Sequence, residues 1–370
     1  RKFYDINEDT KEISGACGFV DFMGTIFISG ERTLSNDVLK FLIDESSEAR
    51  SDPEVFKDLI HQKKVLKYVE SFQNKRKDSN EYKEAVHFLK TYFDDWINIE
   101  NLNDIEAINI IRKHEINIMI DLMGLSSMNR LCLFKNRLAP IQILWLGYNN
   151  TSGLSQMDYL IADPNLIKEN EVKFYSEKIL LLPNIWNCHS GFGISRKKNP
   201  PPLIKNKYIT FGSFNNANKI SDETVSTWSK ILQRTNNSRL ILKSSHTYCD
   251  KSLKRKFEKN KVLNLVTFLD RKNSFEEHID EYKKIDIALD TFPYNGVTTS
   301  FEAIWMGVPV LTLKGFNPNS RAGESINKNL NMSHLIADNK EEYILKAVEF
   351  SNDFEKVIEN RKNLFDKGLE

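Results

Sequence analysis

Between residues 208 and 313, five short and mostly apolar runs alternate with segments of helical periodicity: "YITFGSF", "SRLILK", "LVTFLD", "DIALDTF" and "PVLTL". Few folds accept that pattern. A short apolar run bounded by turn residues is a strand covered on both faces, and strands separated by helices pair in parallel. The stretch therefore predicts a doubly wound parallel sheet. Ligands of such sheets bind in loops beyond the carboxyl ends of the strands, and those loops are where function is to be sought.

A second stretch of the same character lies upstream. "LNDIEAINIIRKHEI" reads as an amphipathic helix feeding a strand in "INIMIDLMG". A short helix around "MNRLCLFKN" and strands in "IQILWLG", "DYLIAD" and "KILLLP" follow. Between the two stretches, "GFGISRKKNPPPLIKNK" (191–207) carries three consecutive prolines and can be neither helix nor central strand. The expected division is residues 1–195, then 196–345, with a closing helical segment at 346–370 that packs back on the first domain. Within the first 94 residues the pattern is weaker: a strand or two in "GACGFVDFMGTIFIS" and helices at 54–72 and 81–93. The chain opens at Arg1 and closes inside a helical pattern, so it reads as a fragment.

At 370 residues there is room for about two domains. A net charge of +1 provides no global field that would select nucleic acid or a membrane surface. No apolar stretch approaches the ~18 residues of a membrane span. The four cysteines, Cys17, Cys132, Cys188 and Cys249, form no C-x-x-C pair, which points to reduced thiols and a cytoplasmic location. No metal-ligand spacing, G-x-S-x-G elbow, G-x-G-x-x-G or P-loop pattern occurs.

Three strand-end loops carry candidate chemistry. In "LDTFPYNGVTTSFEAIWMGVPVLT" an apolar strand stops at Asp290, and a Pro/Asn/Gly turn precedes a helix. Thr299-Ser300-Phe301-Glu302 has the form of a capping box, Gly307 ends the helix and Pro309 starts the next strand. Asn295-Gly296 would turn free amides outward, so that helix N–H groups and threonine hydroxyls bind an anion such as a diphosphate, while Asp290 or Glu302 accepts from ribose hydroxyls. In "FGSFNNANKISDETVSTW", Ser221, Asp222 and Glu223 are explained as a helix cap, whereas Lys219 is not; beside a diphosphate it would supply the charge a leaving group needs. In the first domain, Gly147 ends a strand and would admit a close backbone approach to a sugar.

"APIQILWLGYNNTSG", "FGSFNNANKI" and "DIALDTFPYNGVTTSFEAIWMGVPVLTL", followed by "SRAGES", together resemble the catalytic region of the O-linked N-acetylglucosamine transferase/SPINDLY family over roughly residues 95–365. The resemblance implies a GT-B fold: two Rossmann-like α/β domains facing a cleft, with the nucleotide held mainly by the second. It also implies an inverting transfer of a sugar from a nucleotide donor to Ser/Thr hydroxyls of a protein, with no metal or other cofactor. UDP-N-acetylglucosamine is the expected donor. A GDP-fucose-using enzyme of SPINDLY type and a non-catalytic module that binds nucleotide or protein remain as alternatives.

Position by position, the resemblance makes Lys219 the contact to the donor diphosphate and puts Asn216 in the place of a nearby glutamine. His278 falls on a histidine that packs by the nucleobase. Thr298 and Thr299 match paired phosphate-binding threonines, and Glu302 stands where an aspartate meets the ribose. Leu146 and Gly147 match positions lining the sugar pocket, to which Tyr294, Asn295 and Gly296 are added. The departures are specific. Val297 and Asn117 stand where animal members carry histidines, and "GFVDFMGT" brings none, so no general base is named. The tetratricopeptide repeats common in the family are not visible in these residues. Nothing in the sequence specifies the acceptor or the oligomeric state.

Overall fold

The structure, a computed structural model, describes the strands within 5–34 and residues 95–367 apart from 127–128, 188–191, 193–195, 197, 244–246, 271 and 273. The helices expected at 54–72 and 81–93 lie outside the described residues. The chain divides into two compact units, residues 1–192 and 193–370.

In the first unit, β1 (Asp5–Asn7), β2 (Glu12–Val20), β3 (Thr25–Leu34), β4 (Asp95–Asn98), β5 (Ile118–Asp121), β6 (Ile141–Leu144), β7 (Tyr159–Ala162) and β8 (Lys178–Leu181) form one sheet. Its order is β4-β3-β2-β5-β6-β7-β8, with β1 paired to β2. The pairs from β2 through β8 are parallel, while β1, β3 and β4 add an antiparallel margin. All four residues of β5 are buried, as a strand covered on both faces requires. Helix α1 (Asp104–Lys113) starts at Asn103, whose side chain accepts from Glu106 N–H while Glu106 reciprocates, and it buries Ala107, Ile108 and Ile111.

The second unit is built on β9 (Thr210–Ser213), β10 (Arg239–Lys243), β11 (Val266–Leu269), β12 (Ile287–Leu289), β13 (Val310–Leu313) and β14 (Ile336–Ala337). The order is β11-β10-β9-β12-β13-β14, every pair parallel. Numbered from β9 this is 3-2-1-4-5-6, the Rossmann order, whose direction reverses between β9 and β12. Besides a single turn at Leu203–Asn206, the α-helices are α2 (Asp222–Arg234), α3 (Thr247–Lys259), α4 (Phe275–Asp280), α5 (Thr298–Trp305), α6 (Ala322–Asn329), α7 (Lys340–Asn352) and α8 (Phe354–Lys367). Ser221 caps α2 through Thr224 N–H, and Val225, Trp228, Ile231 and Leu232 form its buried stripe.

The closing helix α8, which the sequence reading sends back toward the first domain, makes the following contacts within the second unit. Val357 and Leu364 are buried, Arg361 Nη1 donates to the carbonyls of Ile285 and Asp286, and Phe365 fits against Gly307. An arginine that finds two carbonyls ahead of β12 fixes the helix there.

Candidate functional site

The loops after β9 and β12 flank the point where the sheet reverses, and the structure brings them together. Asp290 follows β12 and is 1 % exposed. Its carboxylate accepts from the amides of Thr291 at 2.9 Å and Gly296 at 2.7 Å, and from Thr312 Oγ1 at 2.8 Å. Asn295 is fully buried: its Nδ2 donates to Thr291 O, and its own amide donates to Asn319 O at 3.0 Å. The turn is therefore tied from inside. Burial raises the Asp290 pKa to about 6, against the lowering pull of these bonds and of Lys219.

Two expectations are corrected here. The amides of Asn295 and Gly296 are not free; Asn319 O and Asp290 take them. Nor does Thr299 begin a capping box, because α5 starts two residues earlier than that reading requires, with Val297 at the cap position and no side-chain cap bond. The first backbone bond of α5 runs from Phe301 N–H to Val297 O. The amides of Thr298, Thr299 and Ser300 thus precede the ladder, and the helix dipole is positive at that end. Thr298 is exposed, while Thr299 Oγ1 donates to Asn215 Oδ1 at 2.8 Å. A Cβ at Gly296 would lie 2.5 Å from Thr299 Oγ1 and 2.7 Å from Asn215 Oδ1, so a larger residue here would displace the Thr299–Asn215 pair.

Lys219 reaches this turn from the β9 loop. Its Nζ donates to Asn295 O at 2.9 Å and lies 4.2 Å from the centre of the Tyr294 ring. Burial lowers its pKa to about 8, with the charge of Asp290 opposing that shift. Asn216, placed beside it by the sequence, is exposed and spends its side chain on Asn218 N–H. The inward residue is its neighbour Asn215, 6 % exposed, which bonds Thr299 and lies 3.4 Å from Asp290 Oδ1. Ser221 and Thr224 hydroxyls both reach Phe292 O, pinning α2 to the same loop.

A polar chain flanks α5. His278 Nε2 lies 2.9 Å from Glu302 Oε2, and His278 Nδ1 contacts Lys243 Nζ at the end of β10. Tyr282 O–H donates to the same Glu302 oxygen at 2.8 Å and lies 3.1 Å from Thr299 O. Glu302 was expected to close a capping box; instead it turns toward α4 because two donors await it there. Lys243 and Tyr282 escaped the sequence reading. Tyr282 stands four residues after His278, one helical turn, which is the only local signal for it.

In the first unit, Leu146 and Gly147 follow β6. Leu146 has φ +76°, and Gly147 N–H donates to Leu122 O at 3.2 Å. A Cβ on Gly147 would stand 2.3 Å from that carbonyl, so the chain's own backbone already demands this glycine. The rest of the loop is organised by buried Glu177, which accepts from Ser152 N–H at 2.7 Å, Thr151 Oγ1 at 2.8 Å and the Ser152 hydroxyl. Asp121 does the same for the β5 loop through the amides of Met123 and Gly124.

Comparison with known proteins bears on this geometry. The model of Glycosyl transferase family 41 matches residues 58–190 and 195–369. SPINDLY of Solanum lycopersicum, described as a probable UDP-N-acetylglucosamine–peptide N-acetylglucosaminyltransferase, is 33 % identical over 273 residues, 73 % of this chain and 29 % of that protein. SEC of Arabidopsis thaliana, described in the same words, is 27 % identical over 285 residues, covering 74 % and 29 %. The chain thus spans under a third of the length of these relatives. A mutant O-GlcNAc transferase of Thermobaculum terrenum superposes with a TM-score of 0.70 at 31 % identity, covering 77 % of this chain and 54 % of that one. The fold is that of the GT-B glycosyltransferases. With the family model matching on both sides of the inter-domain segment and relatives above 30 % identity across most of the residues, the chain belongs to glycosyl transferase family 41.

Proposed function

We propose that the chain is the catalytic part of an inverting glycosyltransferase that moves a sugar from a nucleoside-diphosphate donor to Ser/Thr hydroxyls of a cytoplasmic protein acceptor. N-acetylglucosamine from its UDP donor is the first expectation, and GDP-fucose is the alternative that shares the same phosphate-binding parts. One observation carries the reading: the Lys219 ammonium, partly buried, ends 2.9 Å from Asn295 O at the turn that leads into α5. The nearby Asp290 charge only partly offsets the burial of this amine, whose direct contacts are a carbonyl and a ring face, so a bound anion would favour its charged form. A diphosphate at this turn would meet Lys219, the Thr298 hydroxyl and the leading amides of α5 together. Those groups would take up the charge that develops on the leaving diphosphate, so the proposed reaction draws on no metal ion or other cofactor. Preorganised donors of this kind are worth roughly 3–4 kcal/mol each in a water-excluded site. Glu302 faces the nucleoside as an acceptor for ribose hydroxyls, and His278 packs by the base. Within the second unit, Tyr294, Asn295 and Gly296 are proposed on the sugar side of the same turn.

The test is turnover of a panel of UDP- and GDP-sugars with a Ser/Thr-containing protein acceptor, reading both released nucleoside diphosphate and modified acceptor. Wild type is expected to turn over one donor, and Lys219→Ala to lose about 10²–10³ in kcat. Thermal protection by UDP or GDP without turnover of any donor would instead identify a nucleotide-binding module. Protection by neither would end the reading.

A further inference from the structure

The polar chain beside α5 has a direction fixed by its chemistry. Lys243 Nζ contacts His278 Nδ1, and a charged ammonium can only donate. Nδ1 therefore carries the lone pair, the His278 proton sits on Nε2, and that N–H donates to Glu302 Oε2 at 2.9 Å. Tyr282 O–H donates to the same oxygen at 2.8 Å. Among the described residues no hydrogen bond reaches Glu302 Oε1, and the side chain keeps 7 % of its surface exposed. One carboxylate oxygen is held twice, and the other is left to accept.

Tyr282 is built into this position. It is 1 % exposed, its ring centre lies 4.6 Å from that of Phe214 at the end of β9, and its hydroxyl also reaches Thr299 O at the start of α5. Burial first, and the neighbouring Glu302 charge second, hold the phenol well above its ordinary pKa, so it remains a donor.

We propose that Tyr282 is a positioning residue for the nucleoside end of the donor: with His278 it locks Glu302 Oε2 and presents Oε1 as a fixed acceptor to a vicinal diol next to the diphosphate. This rests on the glycosyltransferase reading and adds the residue that gives Glu302 its aim. A tyrosine that merely satisfied its hydroxyl in the core would stabilise the unit without regard to what the ligand carries.

The experiment titrates wild type and Tyr282→Phe with UDP, GDP, their 2′,3′-dideoxy forms and inorganic pyrophosphate. For the nucleotide that binds, wild type is expected to prefer the ribose form by roughly tenfold, the worth of a hydrogen bond to a charged acceptor. Tyr282→Phe should erase most of that ratio while pyrophosphate and the dideoxy form change by no more than about twofold. A ratio that survives Tyr282→Phe, or an equal loss for all three ligands, overturns the proposal. Should Tyr282→Phe fail to fold, wild type alone still decides: no preference for the ribose form sinks it. Glu302→Gln is the companion variant and should also lose the ratio; retention of the ratio counts against the assignment. A wild type that binds neither UDP nor GDP fails at the earlier step, and that outcome is distinct from a nucleotide that binds without regard to its diol.

Discussion

Lys219 is the residue whose physical state decides most about the site. Its amine is neutral in half of the molecules near pH 8, because burial outweighs the attraction of Asp290. A bound diphosphate favours the charged form, so the pKa in the complex lies above that in the empty site. The complex then holds more protons than the free protein around pH 8. Affinity for UDP or GDP is therefore expected to be full below about pH 8, to fall as pH rises through that value, and to level off above the pKa of the complex. Calorimetry in buffers of different ionisation heat should register proton uptake on binding near pH 8. Lys219→Ala should abolish both the uptake and the slope. Affinity that stays flat from pH 7 to pH 9.5 in wild type would remove Lys219 from the phosphate site. Arginine would not reproduce this behaviour, because its guanidinium stays charged throughout the range.

At the scale of elements, the β12–α5 turn depends on what backs it. Thr312 on β13 donates to Asp290 Oδ2, and Gly323 on α6 is pressed against both groups. A Cβ at Gly323 would stand 2.1 Å from Thr312 Oγ1 and 2.9 Å from Asp290 Oδ2. Gly323→Ala is thus expected to push two packed elements apart, costing about 1–3 kcal/mol by urea unfolding and weakening nucleotide binding in parallel. Gly153→Ala offers the contrast. Nothing lies within 4 Å of its added carbon, so only the strain of φ +72° remains, about 1 kcal/mol, and nucleotide affinity should not change. Equal effects of the two on binding would show that α6 does not support the turn. How far the sequence revealed these elements depended on the range of the forces involved. The run of short apolar strands from β9 to β13 was readable because β9, β12 and β13 are buried throughout, while β10 buries alternate residues and the edge strand β11 still keeps its apolar residues in a short run. The two-residue β14 was not, since two residues carry no periodicity. Of two consecutive asparagines, only the packed structure shows that Asn215 points inward and Asn216 outward. The capping-box reading of Glu302 failed because its partners, His278 and Tyr282, are 24 and 20 residues away, beyond any local rule.

Both units use one device on the scale of the whole molecule: a buried aspartate in or beside a parallel strand, taking up backbone amides. Asp121 accepts from Met123 and Gly124, Asp290 from Thr291 and Gly296, and Asp286 from Leu203 and Thr210. In each case burial outweighs those bonds and raises the pKa, to about 7 for Asp121 and about 6 for Asp286 and Asp290. The consequence for stability runs opposite to the usual acid denaturation. Between the unfolded value of 3.8 and the raised native value, the folded protein holds more protons than the unfolded chain. The contribution of such a group is complete below about pH 4 and is lost as pH rises through 6 to 7. For Asp121 the span corresponds to about 4 kcal/mol at most. Asp121→Asn isolates it, because asparagine does not titrate while its amide leaves one of the two loop N–H groups without an acceptor. The variant should be less stable than wild type at pH 4.5, and the gap should narrow as pH rises to about 7, where the wild-type carboxylate ionises in its dry setting, and level off above it. Urea unfolding of both proteins across that range measures the gap directly. A difference that is independent of pH, or that widens with it, would mean that the two amides and not burial govern Asp121, and the same doubt would extend to Asp290 behind the β12–α5 turn.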